Sequence, residues 1–324
     1  MTVQFRPATP QDRKRYYTEE WSVEEVPDFI LDTLSRREFG FDHDGQGPRD
    51  RYNVFTSPES LETYMKNRAP FAAYSSVSLY RNPAGRKGWE KAELIFDIDA
   101  KDLPVKNCCG EGQVCQVCLE RARRLVIKLD RVLREDLCVR DINYVYSGRG
   151  YHIRILDEDI TPEGDPLRAS ILDYIRGNVP VEDQSRKKAG KDQTLQRGGY
   201  TGIFKSRLAD IIQYAEIKDL RGFGISAKKA DDILERKDEI IQELEAGEDR
   251  ILKDITKSAY DRFIQRAAVQ IASFLDAKVT VDVKRILRLP SSLHSKVSMK
   301  CVWVTDLENF DPLRDAVPEF LKRD

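Results

Sequence analysis

The clearest periodicity in the chain lies in "LERARRLVIKLDRVLREDL", residues 119–137. Leu119, Ala122, Leu125, Val126, Leu129, Val132 and Leu133 recur at three- and four-residue spacing, which predicts an amphipathic helix with one stripe against a core. "SVEEVPDFILDTLSRREFGF" has similar spacing and closes on Gly40, so residues 1 to about 40 are expected as helix. Strand-like pieces follow at 51–55 ("RYNVF"), 71–80 ("FAAYSSVSLY") and 92–100 ("AELIFDIDA"). "INYVYSGRGYHIRIL", residues 142–156, reads as two strands around a Gly-rich turn. After "TPEGDP" (161–166) the pattern becomes helical and charged as far as about residue 274. Within it, "SRKKAGKDQTLQRGGYTG" (185–202) is expected as an exposed basic loop and "SAKKADDILERKDEIIQELEAGED" (226–249) as a charged helix or helix pair. Residues 277–304 return to β character. The expected fold class is α/β (α+β), with a core in 1–165, a mainly helical insertion in 166–274 and a return to the core in 275–324.

One strand breaks the apolar pattern. In "KAELIFDIDAKD" (91–102), alternation puts Leu94, Phe96 and Ile98 on one face and Glu93, Ile95, Asp97 and Asp99 on the other. Two carboxylates side by side repel. They are tolerable if solvated, or if a cation lies between them. The flanking apolar residues argue for a deep strand, where an unpaired carboxylate costs several kcal/mol and Mg²⁺ or Mn²⁺ would offset the cost.

Composition narrows the choices. The chain has 324 residues and is 40% hydrophobic, enough for a real core. Charged residues reach 34%, above the roughly 25% typical of globular chains, yet the net charge is only −1. No global field draws this protein to nucleic acid, so an anion-binding surface must be local. No apolar run is long enough for a membrane helix, and the first residues lack the apolar segment of a signal peptide, so an intracellular protein is expected.

Three clusters carry chemistry. "NCCGEGQVCQVCLE" places Cys108, Cys109, Cys115 and Cys118 within eleven residues. In a reducing compartment that spacing reads as a structural Zn²⁺ knuckle over 107–119; a disulfide pair is the alternative. Cys138 and Cys301 stand alone and read as small buried residues. In "YSGRGYHIRI", Ser147, Gly148, Arg149 and Gly150 could offer backbone amides to a phosphate, with His152 and Arg154 on one strand face; a plain hairpin with a surface histidine is the alternative. In "RILRLPSSLHSK", Arg285, Arg288, His294 and Lys296 suit a triphosphate, or form a solvated basic loop.

With those residues in view, the chain resembles the catalytic (small) subunit of archaeal and eukaryotic DNA primase. The resemblance rests on "ELIFDIDAKD", "CCGEGQVCQVC", "VYSGRGYHIRI" and "LDAKVTVDVKRILRLPSSLHSK", in the family's order, and spans residues 51 to 296. The wording "RLPSSLH" and the helical insertion are closer to archaeal members. The resemblance implies a prim-fold core with a mixed sheet, a zinc knuckle and a helical subdomain. It implies template-directed, de novo synthesis of short RNA primers, and in archaeal members also DNA, on single-stranded DNA; a primer-extending repair polymerase of the same superfamily and a non-catalytic zinc-containing nucleic-acid-binding protein are the alternatives. Asp97 and Asp99 match the family's metal-binding pair for Mg²⁺ or Mn²⁺. Asp276, in "DAKVT", matches its third carboxylate, with Asp282 as competitor. Ser147, Arg149 and His152 match the nucleotide-binding turn, which is one residue shorter here. Arg288, His294 and Lys296 match the residues that grip the triphosphate, and Arg51 resembles an arginine that faces the nucleotide. Cys108, Cys109, Cys115 and Cys118 match the zinc ligands. The implied partners are a primase large subunit, the DNA template and nucleoside triphosphates, with no membrane. The implied location is the cytoplasm of an archaeal-type cell, or the nucleus of a eukaryotic one. Tyr80-Arg81 and residues 185–191 are candidates for gripping the template by stacking and charge.

Overall fold

The computed structural model describes residues 5–177 and 199–322. Most of the expected basic loop, 185–198, lies outside the described residues, as does the template candidate 185–191. Residues 199–202 begin the helix Gly199–Tyr214. The ten strands are β1 (Phe39–Asp42), β2 (Asp50–Asn53), β3 (Ala72–Ser76), β4 (Ser78–Asn82), β5 (Lys87–Ala92), β6 (Leu94–Asp99), β7 (Ile142–Tyr146), β8 (Gly150–Ile155), β9 (Ile286–Arg288) and β10 (Val302–Val304). They form one sheet of order β2-β1-β3-β9, a second of order β10-β7-β8-β6, and the hairpin β4-β5. The expected α+β architecture is present. In place of a mixed sheet it has these three units, with every strand pairing among the described residues antiparallel.

The second sheet packs on the helix Gln116–Glu135, the one expected from its stripe. Leu125, Val126, Leu129 and Leu133 meet Leu94, Phe96 and Ile98 of β6 and Ile153 and Ile155 of β8 in one buried cluster. Each such side chain contributes about 1.5–3 kcal/mol by leaving water, so this face fixes the register of β6. The opposite face of β6 carries Asp97 and Asp99. The first sheet has its own core, in which Phe39, Phe41 and Leu289 pack with Tyr16, Tyr17, Trp21, Leu61 and Met65. Helices from Asp165–Arg176 to Tyr260–Ser273 occupy the segment expected as helical, and their apolar faces join the same buried cluster as the second sheet.

Four expectations change. Cys301 is buried as expected, but Cys138 is exposed. The N-terminal region is not one helix but short helical turns, Pro10–Arg15, Tyr16–Glu20, Val23–Glu25, Asp28–Leu31 and Leu34–Arg36, followed by β1. Pro27 enforces one of the breaks, since it fixes its own φ and cannot donate a backbone hydrogen bond. Residues 71–80 form two strands in different units, broken at Val77, whose backbone N–H donates to Arg285 O (3.0 Å) and whose carbonyl accepts from Glu93 N (3.0 Å). The β-branched run 277–281 is helical, because the Asp276 side chain caps it by accepting from Lys278 N at 2.8 Å.

Candidate active site and zinc-binding cluster

The cleft is built by the pairing of β6 with β8, and of β3 with β9. Asp97 lies opposite His152 in the ladder and Asp99 opposite Gly150. Directly opposed residues of antiparallel strands share a face, so the Gly-rich turn delivers its side chains onto the two aspartates. His152 Nε2 stands 3.5 Å from Asp97 Oδ1. Arg149 Nη2 donates to Asp99 Oδ2 at 2.6 Å, and Lys101 Nζ lies 3.5 Å from the same oxygen. From the other sheet, Arg288 faces Tyr74 across β3 and β9, donates from Nε to Ser147 O (3.1 Å) and from Nη1 to the Tyr74 hydroxyl (3.3 Å). Asp97, Asp99, Arg149, His152, Arg288 and His294 line a cleft of about 270 Å³.

Asp97, His152 and His294 are each pushed toward their neutral forms. Burial, then the neighbouring Asp99 and Asp276, push the Asp97 carboxyl up to about 7. His152 is 5% exposed; burial, then Arg154 and Arg288, lower it to about 3, so its imidazole is neutral. His294 is likewise held well below the usual histidine range by burial and by Arg288, Arg149 and Lys296. Its Nδ1 accepts from Lys296 N at 3.1 Å, which leaves Nε2 to carry the proton of the neutral ring. Gly148, at φ +96°, is what lets the turn approach: a Cβ there would stand 2.5 Å from His294 Cβ.

Asp276 is close enough for its charge to act on Asp97, whereas Asp282 pairs with Arg285 at 3.2 Å and lines a neighbouring cleft. Asp276 is turned to its own helix, where it caps Lys278 N. Arg51 also lies outside the first cleft. It is bound to the buried Glu38 at 2.6 Å and lines the neighbouring one. Lys296 meets the site through its backbone bond to His294 and through its charge. Tyr80 is buried, at 3% exposure, and cannot serve as a stacking platform.

The four cysteines converge. The Sγ atoms of Cys108, Cys109, Cys115 and Cys118 lie within 4.8 Å of one another, with Cys109–Cys118 at 3.9 Å and Cys115–Cys118 at 3.8 Å. A tetrahedral site with bonds of about 2.3 Å needs sulfurs roughly 3.8 Å apart. The cluster could therefore bind zinc, and all four thiols are free of disulfides. It sits where the loop after β6 turns into the helix Gln116–Glu135.

Residues 96–306 match the sequence profile of the DNA primase small subunit. The chain belongs to the DNA primase small subunit family. It is 45% identical to the DNA primase small subunit of Methanobrevibacter smithii over 98% of both chains, and 45% identical to that of Methanothermobacter thermautotrophicus over 99% of both. The namesake from Pyrococcus furiosus is 41% identical over 99% of this chain and 95% of the relative. The chain is thus a member of the catalytic primase family, a nucleotidyltransferase of the primase type. No helix among the described residues is long and apolar enough to cross a membrane.

In this primase subunit Tyr74 and Arg37 shape the site although no sequence motif pointed to them. Tyr74 enters the cleft only through its pairing with Arg288, which a one-dimensional pattern does not reveal. Glu93, Arg37 and Arg154 form a buried ion cluster beside β6. Alternation already placed Glu93 with Asp97 and Asp99, and Arg154 with His152, but their pairing with each other and with Arg37 is tertiary.

Proposed function

We propose that the chain makes short RNA primers de novo on a single-stranded DNA template, using Asp97, Asp99 and Asp276 to hold divalent ions. The carrying observation is a cleft that holds Asp97 and Asp99 together with Arg149, Arg288 and His294, in which burial, then Asp99 and Asp276, displace the Asp97 carboxyl upward. A buried carboxyl whose ionisation is disfavoured by two neighbouring carboxylates suits hard divalent cations such as Mg²⁺ or Mn²⁺. Such ions, when bound, would acidify a 3′-hydroxyl and neutralise a departing pyrophosphate. The protein's own part is positioning and charge. Arg288, fixed by Ser147 O and Tyr74, presents its guanidinium to the triphosphate. Arg149 transfers from Asp99 to phosphate oxygens, and Lys296 adds a nearby cation. His294 donates from Nε2, and the neutral His152 orients Asp97 without adding charge. Asp276 is preferred to Asp282 as third carboxylate, because Asp282 is already engaged by Arg285.

Cys108, Cys109, Cys115 and Cys118 are assigned to structural zinc, their sulfur spacing being the support. The described helices between residues 166 and 274 are assigned to a helical insertion between the two parts of the catalytic core. A primase large subunit is the expected partner, as the family name implies, and nucleoside triphosphates are the substrates.

The test is synthesis on single-stranded DNA with labelled nucleoside triphosphates and Mg²⁺ or Mn²⁺, with no primer added, with and without a large subunit. New short oligonucleotides from the wild type, and none from Asp97→Asn/Asp99→Asn, are expected. Product only when a primer is supplied would refute de novo initiation. Synthesis undiminished in the double variant would refute the metal-binding assignment.

A further inference from the structure

The catalytic cleft continues into a second one, of about 500 Å³, with which it shares Tyr74, Arg285 and Ile286. Its other walls include Arg51, Arg86, Asp282 and Lys284. The backbone beside it is irregular. In the β1–β2 pair, Phe39 faces Asn53 and Phe41 faces Asp50, so Arg51 and Tyr52 together oppose the single residue Gly40. This is a bulge, a device that re-aims side chains at the edge of a ladder. Gly40 accommodates it, since a Cβ there would lie 2.9 Å from Arg51 Cδ. Tyr52 takes φ +68°, which a bulky residue adopts only at a cost. Its ring is 50% exposed.

The ring is framed by cations. The guanidinium carbons of Arg86 and Arg51 stand 5.2 and 5.6 Å from its centroid. Both arginines are anchored by one carboxylate: Arg86 Nε donates to Glu38 Oε2 at 2.7 Å and Arg51 Nε to Glu38 Oε1 at 2.6 Å. Glu38 is 1% exposed, so the pair is held from below. With Lys284 and Arg285, four cations face the two carboxylates Glu38 and Asp282, a surplus of two. That surplus matches one or two phosphodiesters and falls short of a triphosphate. An exposed aromatic ring beside anchored cations is the arrangement that grips one nucleic-acid strand by base stacking and phosphate contact.

We infer that Tyr52, flanked by Arg51 and Arg86, is a stacking platform that binds a single nucleic-acid strand, template or nascent primer, as it enters or leaves the catalytic cleft. The inference rests on the primase reading above and adds a strand-positioning surface to it. Tyr52 replaces Tyr80, which is buried, as the aromatic that meets a base.

The experiment is fluorescence anisotropy of the full-length chain with a labelled single-stranded DNA oligonucleotide, and with the same oligonucleotide annealed to a short RNA primer. Tyr52→Ala is expected to weaken strand binding about tenfold, within the range for one base on an aromatic ring. Tyr52→Phe is expected to bind as wild type. Arg86→Ala should reduce the slope of log affinity against log salt by about 0.7, the value for one lost phosphate contact on a single strand. Tyr52→Gly should lose affinity as Tyr52→Ala does while its melting temperature stays level or rises, because glycine relieves the positive φ. Loss with the single strand alone puts the template on Tyr52, and loss confined to the annealed substrate puts the primer there.

Three results would overturn the inference: binding of both substrates by Tyr52→Ala at wild-type affinity, equal loss in Tyr52→Phe and Tyr52→Ala, or a raised KM for nucleotide with strand affinity unchanged. Any of these would leave the primase reading standing if Asp97→Asn/Asp99→Asn still abolishes synthesis. Synthesis unaffected by the aspartate substitutions would sink that reading whatever Tyr52 does.

Discussion

Replacing Glu93 by Gln removes the carboxylate of the buried ion cluster beside β6. Glu93 lies 2.6 Å from Arg154 Nε and 2.7 Å from Arg37 Nη1, and all three residues are nearly inaccessible. Arg37 has other partners: Nη1 donates to Ser76 O (2.6 Å), Nε to Thr33 Oγ1 (2.7 Å) and Nη2 to Phe29 O (3.2 Å). Arg154 has no such reserve. Its Nη1 and Nη2 make no hydrogen bond in the structure, so Glu93 is what compensates its charge. Removing one partner of a buried pair costs about 3–5 kcal/mol, chiefly as the penalty of the charge left behind. For 324 residues, with an unfolding entropy of ~2.1 cal/mol/K per residue, about 4 kcal/mol lowers Tm by roughly 6 °C. Glu93→Leu/Arg154→Met removes both charges and should recover most of that loss. Thermal unfolding of the wild type and these variants at pH 7 measures it. A Glu93→Gln stability within about 1 kcal/mol of wild type, or a double variant as unstable as the single one, would refute the compensation argument.

The same carboxylate gives a pH dependence. Burial raises its pKa, but the attraction of Arg154 and Arg37 outweighs burial and leaves it below the usual value. A depressed folded pKa contributes stability above the unfolded value of about 4.3 that is lost as pH falls through the folded pKa; the wild-type advantage over Glu93→Gln in urea midpoint should therefore shrink on acidification below that value. Asp276→Asn should reduce nucleotide incorporation at least about 100-fold, on the scale of losing a charge that acts only in the transition state, with Asp282→Asn within about tenfold of wild type; steady-state rates on a primed template decide it, and the reverse order would reassign the third carboxylate. Gly148→Ala should lose about 2 kcal/mol or more of stability and much of the activity, since its methyl falls on His294 and its φ is positive; near wild-type behaviour in both assays would show that the turn yields. One zinc per chain is expected by elemental analysis, and Cys109→Ser should lower that content and the melting temperature together.

The sequence by itself determined whatever depends on local period and local chemistry. The stripe of the helix Gln116–Glu135 and the alternation of β6 needed only side-chain spacing, and they put Asp97 and Asp99 on the face away from the core. The cysteines lie within eleven residues, so their convergence is a short-range matter. The motif resemblance reached further, because it carried the order of distant segments. Tertiary structure decided what depends on which strands pair. Arg288 reaches the cleft by facing Tyr74 from another strand, and Asp276 competes with Asp282 in three dimensions, not in one. Arg51 had the right charge for a nucleotide, but the buried Glu38 draws it to the neighbouring cleft. Tyr80 and Tyr52 were equivalent aromatics beside arginines in the sequence; burial removed one, and a bulge turned the other to solvent. The helix at 277–281 overrode the β-branched preference of Val-Thr-Val because one cap, Asp276, satisfied its first turn. Propensity is a difference of tenths of a kcal/mol per residue. Losing a cap, or breaking one side of a buried ion pair, costs several times that, and caps, bulges and ion pairs all depend on partners that only folding brings together.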